Sequence, residues 1–274
     1  MRSSPCQALL LAAALLTGLL AIGGCGGKTT GPPVPQRSPE PPPLEFVRAN
    51  IASGGALYDR FWSVTGGPEP TLSHPLWSSR PDQTCDTLTG AKTWRCKECH
   101  GWDYRGVAGG YRSGIHRTGF PGILGTTRSP REVFDLIKTD HAYGAVGLSD
   151  SLIWDLTKFV FEGVIDARSI IDSTGAFFTG DIRHGELLFN IGIGSGLACT
   201  SCHGFDGLTP PPGADPNVFI QYPGRVANLD PWEFQHRVRF GKAGKTMPST
   251  ATDGGTLQDV ADVGAFVRTL PMAP

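Results

Sequence analysis

Methionine is scarce in this chain, with three in 274 residues. Long apolar runs are missing too. The longest, residues 8–22, is interrupted by Thr17 and Gly18 and falls short of the roughly 20 apolar residues that a transmembrane helix needs. Charge of one sign is also absent: 24 Lys and Arg stand against 25 Asp and Glu, a net charge of −1. That balance points away from nucleic acid and from an anionic membrane surface as partners. The apolar fraction is a modest 39%. What the chain has in excess is Gly (37) and Pro (23), together about a fifth of the residues against an average near 12%. This composition predicts a loop-rich protein of short helices, with a core completed by something other than side chains.

The N-terminus reads as a targeting segment. Arg2 precedes the apolar run, as in a signal peptide covering residues 1–24. Ile22, Gly23 and Gly24 then lead into Cys25. This stretch resembles a bacterial lipobox, which implies diacylation of Cys25 as the mature N-terminus. Ordinary cleavage after small residues, with Cys25 incidental, is the alternative. Residues 26–43 hold seven prolines and no apolar periodicity. Such a segment cannot offset the entropy of ordering itself. Extended at about 3.1 Å per residue, it would reach on the order of 50 Å. Residues 25–45 are therefore expected to tether a soluble head to a lipid anchor.

Seven cysteines occur. Cys6 leaves with the signal peptide and Cys25 is the lipidation candidate. Four form two pairs, in "CKECH" (96–100) and "CTSCH" (199–203), and Cys85 is left over. Cys85 reads as a buried thiol rather than a reactive one. A zinc ribbon wants about 15–20 residues between its pairs, whereas these lie roughly 100 apart. A thioredoxin-like dithiol wants a βαβ context that is missing. A structural disulfide gives no reason for the histidine in both copies. CxxCH is the pattern of covalent haem attachment. Two thiols add across the two vinyl groups, a two-residue gap matches their separation, and the adjacent imidazole meets the iron. Cys96, Cys99 and His100 thus form one candidate site, and Cys199, Cys202 and His203 a second.

The surroundings of the two motifs match. "GGALYDRFW" (54–62) and "GELLFNIG" (185–192) precede them, each placing a glycine where another helix can cross closely. "SPREVFDLIK" (129–138) and "DPWEFQHRVR" (230–239) follow. Each starts with an N-cap residue, then proline, with glutamate three after the cap. Each unit ends in an amphipathic stripe: Leu152, Ile153, Leu156, Phe159 and Val160, then Leu257, Val260, Val263, Gly264 and Val267.

This order resembles class I cytochrome c, in tandem. The resemblance implies an all-α fold of two cytochrome c-like units, 46–163 and 180–274, joined by a linker at 164–179, each wrapped around a covalent haem c. The first unit departs from the pattern by an insertion at about 63–93, carrying "SHPLW" and Cys85. His100 and His203 are the implied proximal ligands, each needing an acceptor on its other ring nitrogen. The family takes that acceptor from a proline carbonyl: Pro210, Pro211 or Pro212 in the second unit, and the more distant Pro121 in the first. Trp94 and Trp102 read as packing around the macrocycle.

The far side of each iron is expected in the loop after the middle helix. In the second unit this loop is "GKAGKTMPST" (241–250), with Met247 as thioether ligand. In the first it is "TDHAYGAVGLSD" (139–150), which has no methionine but holds His141. His141 is the expected ligand, His116 is its rival near the haem edge, and His74 stands third. His184 and His236 read as structural or exposed. Two six-coordinate haems leave no open site, so the expected role is single-electron transfer between membrane and periplasmic redox proteins. The location implied is the bacterial periplasm, on a lipid anchor. The alternative is a dihaem enzyme, of the peroxidase or thiosulfate dehydrogenase kind, if the first haem is open on its far side.

Overall fold

The computed structural model describes residues 41–84, 86–172, 179–210 and 222–273. The expected signal peptide, Cys25, most of the tether, Cys85, Pro211 and Pro212 lie outside the described residues. Among the described residues the chain is helical, with no strand and one isolated bridge between Gly106 and Pro121. No helix among them is long and apolar enough to cross a membrane.

The first five helices are α1 (Leu44–Arg48), α2 (Ile51–Thr65), α3 (Cys96–His100), α4 (Pro130–Asp135) and α5 (Asp150–Lys158). The next five are α6 (Ile182–Ile191), α7 (Thr200–His203), α8 (Pro223–Leu229), α9 (Pro231–Phe240) and α10 (Leu257–Val267). Both α4 and α5 widen into a π-helical turn, at Leu136–Asp140 and Phe159–Gly163. α2 runs three residues into the segment expected as insertion, then stops at Gly66, whose φ of 69° is left-handed. α8 is a further short helix before α9, and Pro223 opens it at the first helical position.

Two helix pairs share one construction. Asn50 caps α2, its Oδ1 accepting from the N–H groups of Ala52 and Ser53 at 2.9 and 3.0 Å. Its own N–H donates to Asp155 Oδ1 of α5 at 2.7 Å. Four residues on, Gly54 lies against α5 so closely that a Cβ would overlap the Asp155 carbonyl. The second pair repeats this. Asp181 caps α6 through the N–H groups of Arg183 and His184, and its N–H donates to Asp262 Oδ1 of α10 at 2.7 Å. A Cβ at Gly185 would overlap the Asp262 carbonyl. In each pair a capping residue fixes one end of the crossing, and a glycine lets the backbones meet.

The apolar stripes bury into two clusters. Leu57, Tyr58, Phe61, Phe134, Ile153, Leu156 and Phe159 anchor the first, and Leu188, Phe189, Val226, Phe234, Val260, Val263 and Val267 the second. Fully burying one such side chain contributes about 1.5–3 kcal/mol. α9 joins the two. Its Phe240 belongs to the first cluster and presses on Gly55 of α2. Its His236 is fully buried, 2.8 Å from the Tyr104 hydroxyl and 3.0 Å from the Gly55 carbonyl. His236 is therefore a core residue, in line with the structural half of its expected role. His184 is half-exposed and holds Asp262 at 2.7 Å.

Candidate functional site

α3 carries the first CxxCH as a single turn. It ends on Gly101 at φ 77°, and α7 ends in the same way on Gly204 at φ 71°. The chain then folds back beneath each histidine: Gly106 N–H donates to the His100 carbonyl at 2.9 Å, and Thr209 N–H to the His203 carbonyl at 3.0 Å. Cys96, Cys99, Cys199 and Cys202 are free thiols. Burial pushes Cys96 and Cys199 up to about 11 and Cys99 to about 12. Such thiols stay protonated near neutral pH, which argues against a reactive dithiol.

Around α3, a cleft is lined by Cys96, Cys99, His100, Phe120, His141 and Tyr143, with His74 and Thr93 closing one side. Its enclosed part is small, about 40 Å³. His100 and His141 face each other there, with ring centroids 6.3 Å apart and planes inclined by 36°. His100 Nδ1 lies 2.7 Å from the Pro121 carbonyl. His141 Nδ1 lies 3.2 Å from the Leu136 carbonyl. A carbonyl only accepts, so both Nδ1 atoms carry the proton and each Nε2 keeps its lone pair. Burial holds His100 down near 4, against the pull of the Pro121 carbonyl, and lowers His141 as well. Both rings are neutral, the form that binds a metal.

The π turn presents His141. The Leu136 carbonyl accepts from both the His141 backbone N–H, at 2.9 Å, and its Nδ1. The next residue, Ala142, sits at φ 57° without being glycine. Local strain of this kind clusters at functional sites, as do π turns.

His74 also belongs to this cleft, although the sequence ranked it last. The insertion carries it in. Its backbone N–H donates to Thr93 Oγ1 at 2.8 Å, and its Nδ1 accepts from the Leu76 N–H at 3.2 Å. Its ring packs at 4.5 Å on Trp94 and stands 6.0 Å from the His141 ring. Burial, with His141 alongside, lowers it to about 4. His116 lies elsewhere, stacked on Tyr111 and 3.7 Å from Glu98. Trp94 borders the cleft through His74 and Tyr143. Trp102 instead packs on His236 at 4.8 Å, at the junction with α9, and not on the cleft.

In the second unit, His203 Nδ1 is buried without a hydrogen-bond partner among the described residues. Pro210 does not supply one, and Pro211 and Pro212 lie outside the described residues. Burial lowers His203, and the charge of Lys242 lowers it further. Lys242 stands at the start of the loop that holds Met247. Met247 is half-buried. Its carbonyl packs on Gly241, whose φ of 77° ends α9. The loop is pinned to α9 by Ser249 Oγ and Thr250 Oγ1, donating to the Arg239 and Val238 carbonyls.

The donor chemistry fits covalent haem. Each site offers two free thiols and one neutral imidazole on a single turn. In the first, a second neutral imidazole stands opposite. Two imidazoles sharing one ion at about 2 Å per nitrogen have ring centres about 6 Å apart, close to the separation here. Covering a macrocycle would require the side chains around the small enclosed space to part.

No curated protein and no solved structure matches the chain significantly. Residues 180–267 match the family model of cytochrome C oxidase, cbb3-type, subunit III. The matched span contains Cys199, Cys202, His203 and Met247, and it supports a c-type cytochrome: a helical domain with covalently bound haem c, electron transfer as its chemistry and redox proteins as its partners.

Proposed function

We propose that the protein is a dihaem c-type cytochrome that passes single electrons between membrane and periplasmic redox partners. It would be held at the membrane by lipidated Cys25 and the tether at 25–45. The observation that carries the reading is the duplicated frame. CxxCH recurs with the same left-handed glycine after it, beside the same cap–aspartate–glycine crossing of helices. One frame falls within the cytochrome family match, so the other is read as its tandem copy.

In this reading Cys96, Cys99, Cys199 and Cys202 anchor the two haems, and His100 and His203 ligate them. His141 completes the first site and Met247 the second. Bound haem supplies a one-electron iron couple. The protein's part is to hold the ligands still. Pro121 and Leu136 fix the tautomers of His100 and His141, and burial keeps both rings neutral, so little rearrangement accompanies each electron. A thioether raises the potential relative to a second imidazole, so the first haem is expected to be the lower of the two.

The test is production with a haem-attachment system. Mass spectrometry should show two haems per chain, and a potentiometric titration should show two one-electron steps. A mass corresponding to a single haem would overturn the reading.

A second reading, a dihaem enzyme, is favoured by one observation. His74 places another neutral imidazole on the His141 side of the cleft, where it could handle a proton if His141 left the iron. Turnover of peroxide by the reduced protein would select this reading.

A further inference from the structure

Outside both haem sites, three ligand-type side chains converge from separate parts of the first unit. Asp86 comes from the insertion, Glu98 from between the two cysteines of α3, and His116 from the loop after the short helical turn Gly110–Arg112. Their ligand atoms all lie within 4.8 Å of one another. Asp86 and Glu98 are 3% and 2% exposed.

The hydrogen bonding leaves one side-chain atom of each without a partner among the described residues. Asp86 Oδ1 accepts from the Leu88 N–H at 2.9 Å. Glu98 Oε1 is taken by Arg95, at 3.4 Å, and by Lys97. The remaining atoms, Asp86 Oδ2, Glu98 Oε2 and His116 Nδ1, are all buried and have no hydrogen-bond partner among the described residues. Leaving a buried polar atom unpaired is costly, and three such atoms in one place call for a common partner.

A proton shared between His116 and Glu98 does not serve. His116 Nδ1 and Glu98 Oε2 stand 3.7 Å apart, beyond hydrogen-bond length. That separation does suit two atoms that each touch one ion at about 2.1 Å. The His116 ring is held by stacking on Tyr111, 5.2 Å between centroids and 19° between planes.

We infer that Asp86, Glu98 and His116 bind a divalent transition-metal ion of the zinc class, at a site separate from the haem irons. An imidazole with two carboxylates suits such an ion better than calcium or magnesium, which prefer all-oxygen cages. Arg80, Arg95 and Lys97 border the carboxylates. Their charge works against binding by simple attraction, so the imidazole carries the selectivity. A bound ion would tie the insertion, α3 and the 110–118 loop together beside the haem-attachment turn.

The experiment uses the full-length haem-loaded protein, stripped with a chelator and titrated with Zn²⁺ by calorimetry. A saturable site is expected. It should weaken at least about tenfold in His116→Ala and Asp86→Asn and stay unchanged in His184→Ala, the control for the other carboxylate-paired histidine. The His116 side chain is 44% exposed, so His116→Ala keeps the test decisive even if Asp86→Asn fails to accumulate. Absence of saturable binding in the unaltered protein, or unaltered affinity in His116→Ala, would overturn the inference.

Discussion

The rings of His100 and His141 stand 6.3 Å apart, each with its Nδ1 proton given to a backbone carbonyl. Neither ring is aimed by chance. The Pro121 carbonyl belongs to the segment bridged to Gly106, and the Leu136 carbonyl is bared by the π turn. Replacing His141 by Ala should convert the first haem from low-spin to high-spin and leave both haems covalently bound. Electron paramagnetic resonance of the ferric protein checks this. An unchanged low-spin signal would remove His141 from the site and return the choice to His74.

His74 is predicted to act through His141 rather than on the iron. Its Nδ1 is occupied by the Leu76 N–H, and its ring stands 6.0 Å from the His141 ring. His74→Ala should therefore lower the potential homogeneity of the first couple and give a partial high-spin fraction. His74→Asn, whose amide oxygen can still accept from Leu76, should restore part of the native spectrum. A merely structural role would lower stability and leave the spin state of the folded fraction alone.

These residues show what sequence can and cannot carry. Local signals were legible. Ser129 and Glu132 close the capping box read from their spacing. Asp230 caps α9 as expected, although Glu233 turns away to pair with Arg237. Gly54 and Gly185 stand where helices cross. His74 was not legible as a neighbour of His141, because the insertion that carries it has no periodicity and its position depends on Thr93 and Trp94. Asp86, Glu98 and His116 were equally hidden. Each is unremarkable in its own segment, and only tertiary packing brings three unpaired atoms together. Trp102 packs on His236 of α9, a contact between distant segments that no local pattern announces.

The paired crossings predict paired costs. Alanine in a helix is intrinsically better than glycine by about 1 kcal/mol, yet Gly54→Ala and Gly185→Ala each force a methyl into a backbone carbonyl. Overpacking of this kind costs about 1–3 kcal/mol, and here the obstacle is backbone, which cannot rotate away. Both variants should unfold at lower denaturant than the parent, as measured by circular dichroism of the haem-loaded protein. An unshifted midpoint in either would mean that the helices part at no cost.

His236 predicts an acid-sensitive junction between the two clusters. Its Nε2 proton goes to the Gly55 carbonyl, so Nδ1 accepts from the Tyr104 hydroxyl, and the neutral ring satisfies both. Burial lowers it to about 3. Asp59 pulls it upward, while Arg239 and Arg237 push it down. In the unfolded chain it titrates near 6.5. Between those values the unfolded state binds a proton that the folded state refuses. Its contribution is therefore complete above about pH 6.5 and falls as the pH drops toward 3, by up to about 1.4 kcal/mol per pH unit. Other groups titrate across the same range, so the comparison must be with a variant. His236→Gln should be less stable than the parent at pH 7.5, because the amide does not fill the ring's place among Tyr58, Trp102 and Phe240, and its stability should decline less steeply between pH 6.5 and 4.5. Denaturant midpoints for the two proteins across that range decide the matter. Parallel slopes would show that His236 takes up its proton in the folded state as readily as in the unfolded one, and that the junction is open to water.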